Sequence, residues 1–314
     1  MNTLKLVSVL PLLVALPLSC SGGVEAERTE SLVVVCTTAM IGDLAQEVAG
    51  DGASVSTLFG PDMDPHLFRP TRDDVKLLMK ADLVLFNGLH LEGYLTDALE
   101  RVAESGVEVI PVAERILQEG EQLDSDQAPD PHVWMDASIW SRVPSVVAEA
   151  LGQRRPAERT AFTARAAAVE DRLLAADEAY RTAFLALPPN RRVLLTAHDA
   201  FRYFGRRYGL EVRGIQGVST TSEASLGTIE ELVGVVVERD IPAIFFESTV
   251  SERNIKALLE GATARGHDLR IGGVLHADAP GAAATYEGML ASNVTTILGA
   301  LGPQSEPAAE AHVR

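Results

Sequence analysis

The chain has 314 residues, 46% of them hydrophobic, which is enough for two domains of ordinary size and argues against wholesale disorder. It carries 44 acidic against 27 basic side chains, a net charge of −17. A surface of that sign repels phosphate backbones, which argues against nucleic acid as a partner and suits a protein that meets cations.

The first 20 residues read as an export signal. Lys5 is followed by an apolar run over residues 6–18, broken by Pro11 and Pro17 and too short to span a bilayer. Two ends fit: ordinary cleavage near residues 19–26, or lipoprotein processing at Cys20 with residues 21–30 as a flexible tether. Pro17 and Leu18 depart from the usual lipobox, which has leucine three before the cysteine and small residues between. The protein is thus expected to be exported, either periplasmic or anchored to a membrane by lipid at Cys20. Cys36, the only other cysteine, lies in the apolar run LVVVC and is expected to be a small packing residue.

Beyond residue 30 the pattern alternates. Strands are expected at 31–38, 53–59, 81–87 and 107–112, and helices at 41–50, 71–80, 91–105 and 136–152, the last interrupted at Pro144. Thr71 with Asp74 three residues later marks a helix start, and residues 117–130 form an aperiodic acidic loop. Residues 156–187 differ: Phe162, Ala166, Val169, Leu173, Tyr180, Phe184 and Leu187 recur at helical spacing between charged residues. This predicts one long amphipathic helix, bounded by Pro156 and by Pro188-Pro189, that acts as a spine between two domains. The alternation then restarts, with strands at 191–197, 210–215, 242–248 and 269–275 and helices at 201–209, 226–240, 251–266 and 283–301. The fold class is α/β: two (β/α) lobes with parallel sheets, residues 31–153 and 189–302, joined by a rigid linking helix at 154–188, with a disordered tail at 303–314.

In an open α/β sheet, ligands bind at loops beyond the carboxyl ends of strands. Three of the seven histidines fit that place: His66 after 53–59, His132 after 107–112 and His198 directly after 191–197. Asp278, three residues past 269–275, fits it too. Each lobe then supplies two metal-binding groups, and the four could converge on a cleft between the lobes. His66 and His132 share a local device, Asp64-Pro65-His66 and Asp130-Pro131-His132. Proline fixes φ and holds the preceding aspartate extended, so each histidine comes on a stiff turn. An aspartate nearby can also take the ring N–H that does not face a metal and fix the tautomer.

Other groups carry weaker signals. His90, in NGLHLEG, also follows a strand, but it leads into a helix without the acid–proline brace. His276 lies two residues from Asp278 on the opposite strand face, and His267 and His312 read as solvent-exposed. Trp134 and Trp140 read as packing residues. The sequence has no H-E-x-x-H, G-x-S-x-G, Walker A or G-x-G-x-x-G signature. Glu247, at a strand end, is the best candidate for a general base, and a hydrogen bond to a neighbouring loop is its expected use.

Six ordered motifs, GPDMDPHLFRPT, ADLVLFNGLHLEG, PDPHVWMD, HDAFRYFGRRYG, PAIFFES and LHADAPG, carry a family likeness over residues 32–302. The chain resembles the zinc- and manganese-binding solute receptors of ABC importers, many of which are lipoproteins. The resemblance implies two lobes around a rigid helix, a metal between them, and a membrane permease as partner to a monomeric, non-enzymatic receptor. Its ligand positions fall on His66, His132, His198 and Asp278. Many manganese and iron members carry glutamate in the third slot, where this chain has His198. Many zinc members carry a histidine-rich loop before the second Asp-Pro-His turn, whereas residues 117–130 here hold acids and no histidine. Three imidazoles and one carboxylate suit four-coordinate Zn2+, and a bidentate Asp278 leaves Mn2+ as the alternative. The competing classes are an exported zinc hydrolase and a surface adhesin with a structural metal.

Overall fold

The computed structural model describes residues 31–124, 128–221, 224–247 and 252–302. The export signal, the tether, Cys20, Ser251 and the tail with His312 lie outside them. No helix among the described residues is long and apolar enough to cross a membrane.

The first lobe is a four-stranded parallel sheet in the order β2-β1-β3-β4, with β1 at Leu32–Cys36, β2 at Ala53–Thr57, β3 at Leu83–Phe86 and β4 at Glu108–Pro111. Val34 sits opposite both Val55 and Leu83. In the second lobe, β5 (Val193–His198) pairs in parallel with β6 (Glu211–Gln216), and β7 (Ala243–Glu247) pairs in parallel with β8 (Arg270–Leu275). Strands β5 and β7 are neighbours. The central strands are near-continuous apolar runs, as strands covered on both faces require.

Helix ends follow side-chain chemistry. Thr38 caps the helix Ala39–Ala49, and Gly50, with φ +55, ends it. Thr71 and Asp74 form the expected capping box at the start of Arg72–Leu78. Two expectations need correction, and one unassigned stretch gains a helix. The helix expected at 91–105 is only Thr96–Glu104, preceded by a 3-10 turn, because Glu92, with φ −89 and ψ 47, lies outside the helical region while its carboxylate accepts the N–H groups of Asn87 and Gly88. The interruption expected at Pro144 falls just before it: the pieces are Ala137–Trp140 and Val143–Arg154, and Pro144, which lacks an N–H, is accommodated in the first turn of the second. The stretch after β4 holds a short helix, Val112–Ile116, before the acidic loop begins.

The spine runs from Arg159 to Leu185, 27 residues or about 40 Å at 1.5 Å per residue, with Pro156–Glu158 as a separate 3-10 turn. Phe162, Ala166, Val169, Leu173 and Phe184 are buried along one stripe, Tyr180 is partly buried, and Leu187 is buried beyond the helix end. They join one hydrophobic core that takes Val34, Leu83 and Leu85 from the first sheet and Leu194, Phe245 and Leu275 from the second. The outer sheet faces have separate cores, around Val84 and Val102 in one lobe and Ile244 and Leu258 in the other. The helix is also bonded to both lobes. Arg165 donates to the carbonyls of Val48 and Ala49 at 2.7 and 2.9 Å, Asp177 accepts from Tyr208 at 3.1 Å, and Arg172 bridges Glu47 and Glu287.

Candidate metal centre

Four chain segments deliver one side chain each to a point between the lobes. His66 comes on the loop after β2, His132 on the turn after the acidic loop, His198 as the last residue of β5, and Asp278 on the loop after β8. One ligand atom from each lies within 4.8 Å of the others, and all four side chains are buried. His66 Nε2 is 3.3 Å from His132 Nε2. Asp278 Oδ1 is 3.4 Å from His132 Nε2, and Asp278 Oδ2 is 3.5 Å from His198 Nε2. A tetrahedron of nitrogen and oxygen ligands about 2.05 Å from a zinc ion has edges of about 3.3 Å, so these spacings fit one small dication at the centre.

Each nitrogen is aimed from behind. Asp130 Oδ1 accepts the His132 backbone N–H at 3.0 Å and its ring Nδ1–H at 2.8 Å, leaving Nε2 to face inward. Glu247, at the end of the neighbouring strand, accepts the His198 backbone N–H at 2.8 Å and lies with its other oxygen against ring Nδ1. Glu247 therefore bonds to an adjacent strand end rather than a loop, and it serves the histidine, not a water. Further out, Asn87 Nδ2 donates to the carbonyl of Pro131 at 3.0 Å, and buried Glu92 pins Asn87 by accepting its backbone N–H at 2.7 Å. Trp134 Nε1 donates to Ala277 O at 2.8 Å across the lobes, fixing the loop of Asp278. Sequence reading missed these three supports. Asn87 and Glu92 lie within a quoted motif, but nothing local marks the Asp-Pro-His turn they serve. The indole bond spans 143 residues and has no sequence signal.

The electrostatics divide the histidines. Burial pushes His66 down to about 3 against the pull of Asp278. Burial also opposes charge on His132, but Asp130 and Asp278 outweigh it and push it up to about 9. His198 is raised well above the usual imidazole range, again against burial, by Glu247 and Asp278. Asp278, despite complete burial, is held well below the usual carboxylate range by His198 and His132. Outside the cluster, a cavity of about 620 Å³ opens onto His66 and is lined by His90, Asp124, Asp199 and Arg202 among others.

The remaining sequence candidates lie elsewhere. His90 is exposed in the cavity wall and is not among the four. His276 is half-buried, its backbone held by Asn293 through bonds of 2.8 Å. His267 is not solvent-exposed: the chain turns at Gly266, with φ +77, and brings its Nε2 within 2.7 Å of the Ile241 carbonyl. Trp134 and Trp140 are fully buried and pack edge to face, as expected of packing residues. Cys36 is fully buried, and burial pushes its thiol up. The acidic loop straps the second lobe: Leu123 N donates to Tyr203 Oη at 3.0 Å, and Arg202 and Arg206 donate to the carbonyls of Asp124 and Glu121.

Fold and site together define a two-lobed α/β binding protein whose cleft closes on a buried cluster of three imidazoles and a carboxylate. The chain belongs to the family described as zinc-uptake complex component A, periplasmic, whose model matches residues 34–300. It is 41% identical over 289 residues to the zinc-binding protein TroA of Treponema pallidum, covering 89% of this chain and 92% of that one. It is 39% identical over 290 residues to the manganese-binding lipoprotein MntA of Bacillus subtilis, covering 90% and 92%. The solved structure of the Treponema pallidum periplasmic zinc-binding protein superimposes with a TM-score of 0.84, over 87% of this chain and all of that one. The expected family and the two-lobed parallel α/β plan around a long helix are thus borne out.

Proposed function

We propose that this protein is an extracytoplasmic receptor that captures one Zn2+, with Mn2+ as the alternative, through His66, His132, His198 and Asp278, and delivers it to an ABC-type membrane importer. One observation carries the reading: four metal-binding atoms from four separate segments within 4.8 Å of one another, all buried. Relatives named for zinc binding and for manganese binding support it. So does the donor set, which suits zinc, while a bidentate Asp278 would admit manganese at higher coordination.

The protein acts as a carrier and not as an enzyme in this reading. Four protein ligands close a zinc sphere, whereas catalytic zinc keeps a position for water. Glu247, the one candidate base, is already engaged by His198. The receptor works as an exported monomer, periplasmic or held by lipid at Cys20. Its lobes, 31–153 and 189–302, are joined by 154–188. The test is elemental analysis of protein purified without added metal, followed by titration with zinc and manganese. One equivalent of tightly held dication is expected; a protein that takes up neither ion at neutral pH would overturn the reading.

A further inference from the structure

The two Asp-Pro-His turns share one local geometry and differ in their outer partners. In each, the aspartate Oδ1 accepts the backbone N–H of the histidine, at 2.8 Å for Asp64 and 3.0 Å for Asp130. Asp130 uses that oxygen on the His132 ring as well. Asp64 turns outward instead, and its Oδ2 accepts the hydroxyl of Thr220 at 2.7 Å. Thr220 follows β6, in the opposite lobe. A second bond crosses beside it, from Gly281 N to Pro61 O at 2.9 Å. Gly281 has φ +55, and a Cβ there would lie 2.7 Å from the His276 ring, so glycine is required for this approach.

His132 and His198 are aimed by buried carboxylates of their own lobes, whereas among the described residues no carboxylate holds the ring of His66. Its loop is irregular and faces the cavity. His66 is therefore placed by its backbone turn and by what grips that turn from across the cleft. We propose that Thr220 is a positioning residue that acts through Asp64 to lock His66 only while the lobes are docked, so that retention of the ion depends on this cross-cleft bond. The proposal rests on the receptor reading for its metal arm alone, because the lock itself is a property of the loop.

The test compares Thr220→Val, which removes the hydroxyl at nearly constant shape, with Thr220→Ser, which restores it. In metal-free protein, hydrogen–deuterium exchange over residues 60–68 should rise in the valine variant and return to the wild-type rate in the serine variant. In zinc-loaded protein, release to excess chelator in stopped flow should be about tenfold faster for valine, the scale of one lost hydrogen bond to a carboxylate, and near wild type for serine. Exchange in the valine variant equal to wild type overturns the lock. So does equal acceleration in both variants, because packing rather than the hydroxyl would then be responsible. A wild-type protein that binds no zinc counts against the receptor reading, and the exchange comparison still decides the lock.

Discussion

Metal capture at this site should displace two protons, and the count can be worked from the cluster. At neutral pH the metal-free site holds His132 and His198 as imidazolium, because the carboxylates of Asp130, Asp278 and Glu247 raise them, to about 9 in the case of His132. His66, pushed down to about 3, is already neutral. Ligation needs all three rings neutral, so one dication enters as two protons leave and the buried charge is unchanged. At pH 7.5, deprotonating His132 costs about 2 kcal/mol, from 1.5 units at 1.36 kcal/mol each, and weakens apparent binding about 30-fold. As pH rises, that penalty shrinks, so affinity should climb about 100-fold per unit between pH 6 and 8, and the climb should slow only as the pH passes about 9, where His132 no longer holds a proton. Three unperturbed imidazoles, with pKa about 6.5, would give almost no dependence above pH 7.5. Calorimetric titration at pH 7.5 in buffers of different ionisation enthalpy reads the number directly. Two protons per ion are expected; fewer than one would refute the electrostatic reasoning.

Other outcomes follow from the same geometry. His66→Ala or His132→Ala should lower affinity at least 100-fold, while His90→Ala and His267→Ala should leave it within about threefold, the scale of a minor contact; isothermal titration of the four variants decides it, and a large loss at His90 would move the ligand set. Small-angle scattering with and without metal should show little compaction, because the spine shares one core with both lobes; a change of several per cent in radius of gyration would contradict a stiff frame.

Much of this was legible in the sequence, for definite reasons. The buried parallel strands are unbroken apolar runs, and the spine repeats its apolar residues at helical spacing, so fold class followed from periodicity. The four clustered side chains were legible because His198 ends a strand, Asp278 follows one by three residues, and His66 and His132 lie in longer connections leaving strand ends, each behind an Asp-Pro pair. What escaped was cooperation between distant segments. Glu247 reads as an acid bonded to some neighbouring loop until β7 is seen lying beside β5, which sets it against His198. Asp64 and Asp130 read alike, yet one grips the opposite lobe and the other its own histidine ring. The break just before Pro144 had a signal in the residue itself, whereas the late start of the helix at Thr96 depends on the non-helical backbone of Glu92, whose carboxylate holds the N–H groups of Asn87 and Gly88, a local bonding that no propensity predicts.

Position 198 should set metal preference, but the structure changes what the substitution must be. The resemblance places nitrogen or oxygen there in different receptors, so His198→Glu would trade a borderline nitrogen for a hard carboxylate that can offer two oxygens. Zinc gains little from a fifth ligand, whereas manganese is poorly satisfied by four. In this chain, however, the side chain at 198 lies against Glu247, and Asp278 is 3.5 Å away. A glutamate there puts a third carboxylate among buried acids, and in the metal-free state one of them must take up a proton. The single variant should therefore bind both ions more weakly at neutral pH than selectivity arguments alone suggest, with a new proton released on binding. Adding Glu247→Gln removes one of the opposing charges and keeps a side chain able to hydrogen-bond residue 198. The double variant should then show the shift cleanly: the zinc-to-manganese ratio of association constants, measured by competition, should fall at least tenfold from wild type. Manganese is the weaker binder at most sites, so an outright reversal is not expected. A ratio unchanged in the double variant, with both ions still bound, would mean that selectivity is set by the rigid frame around the ligands and not by the donor at 198.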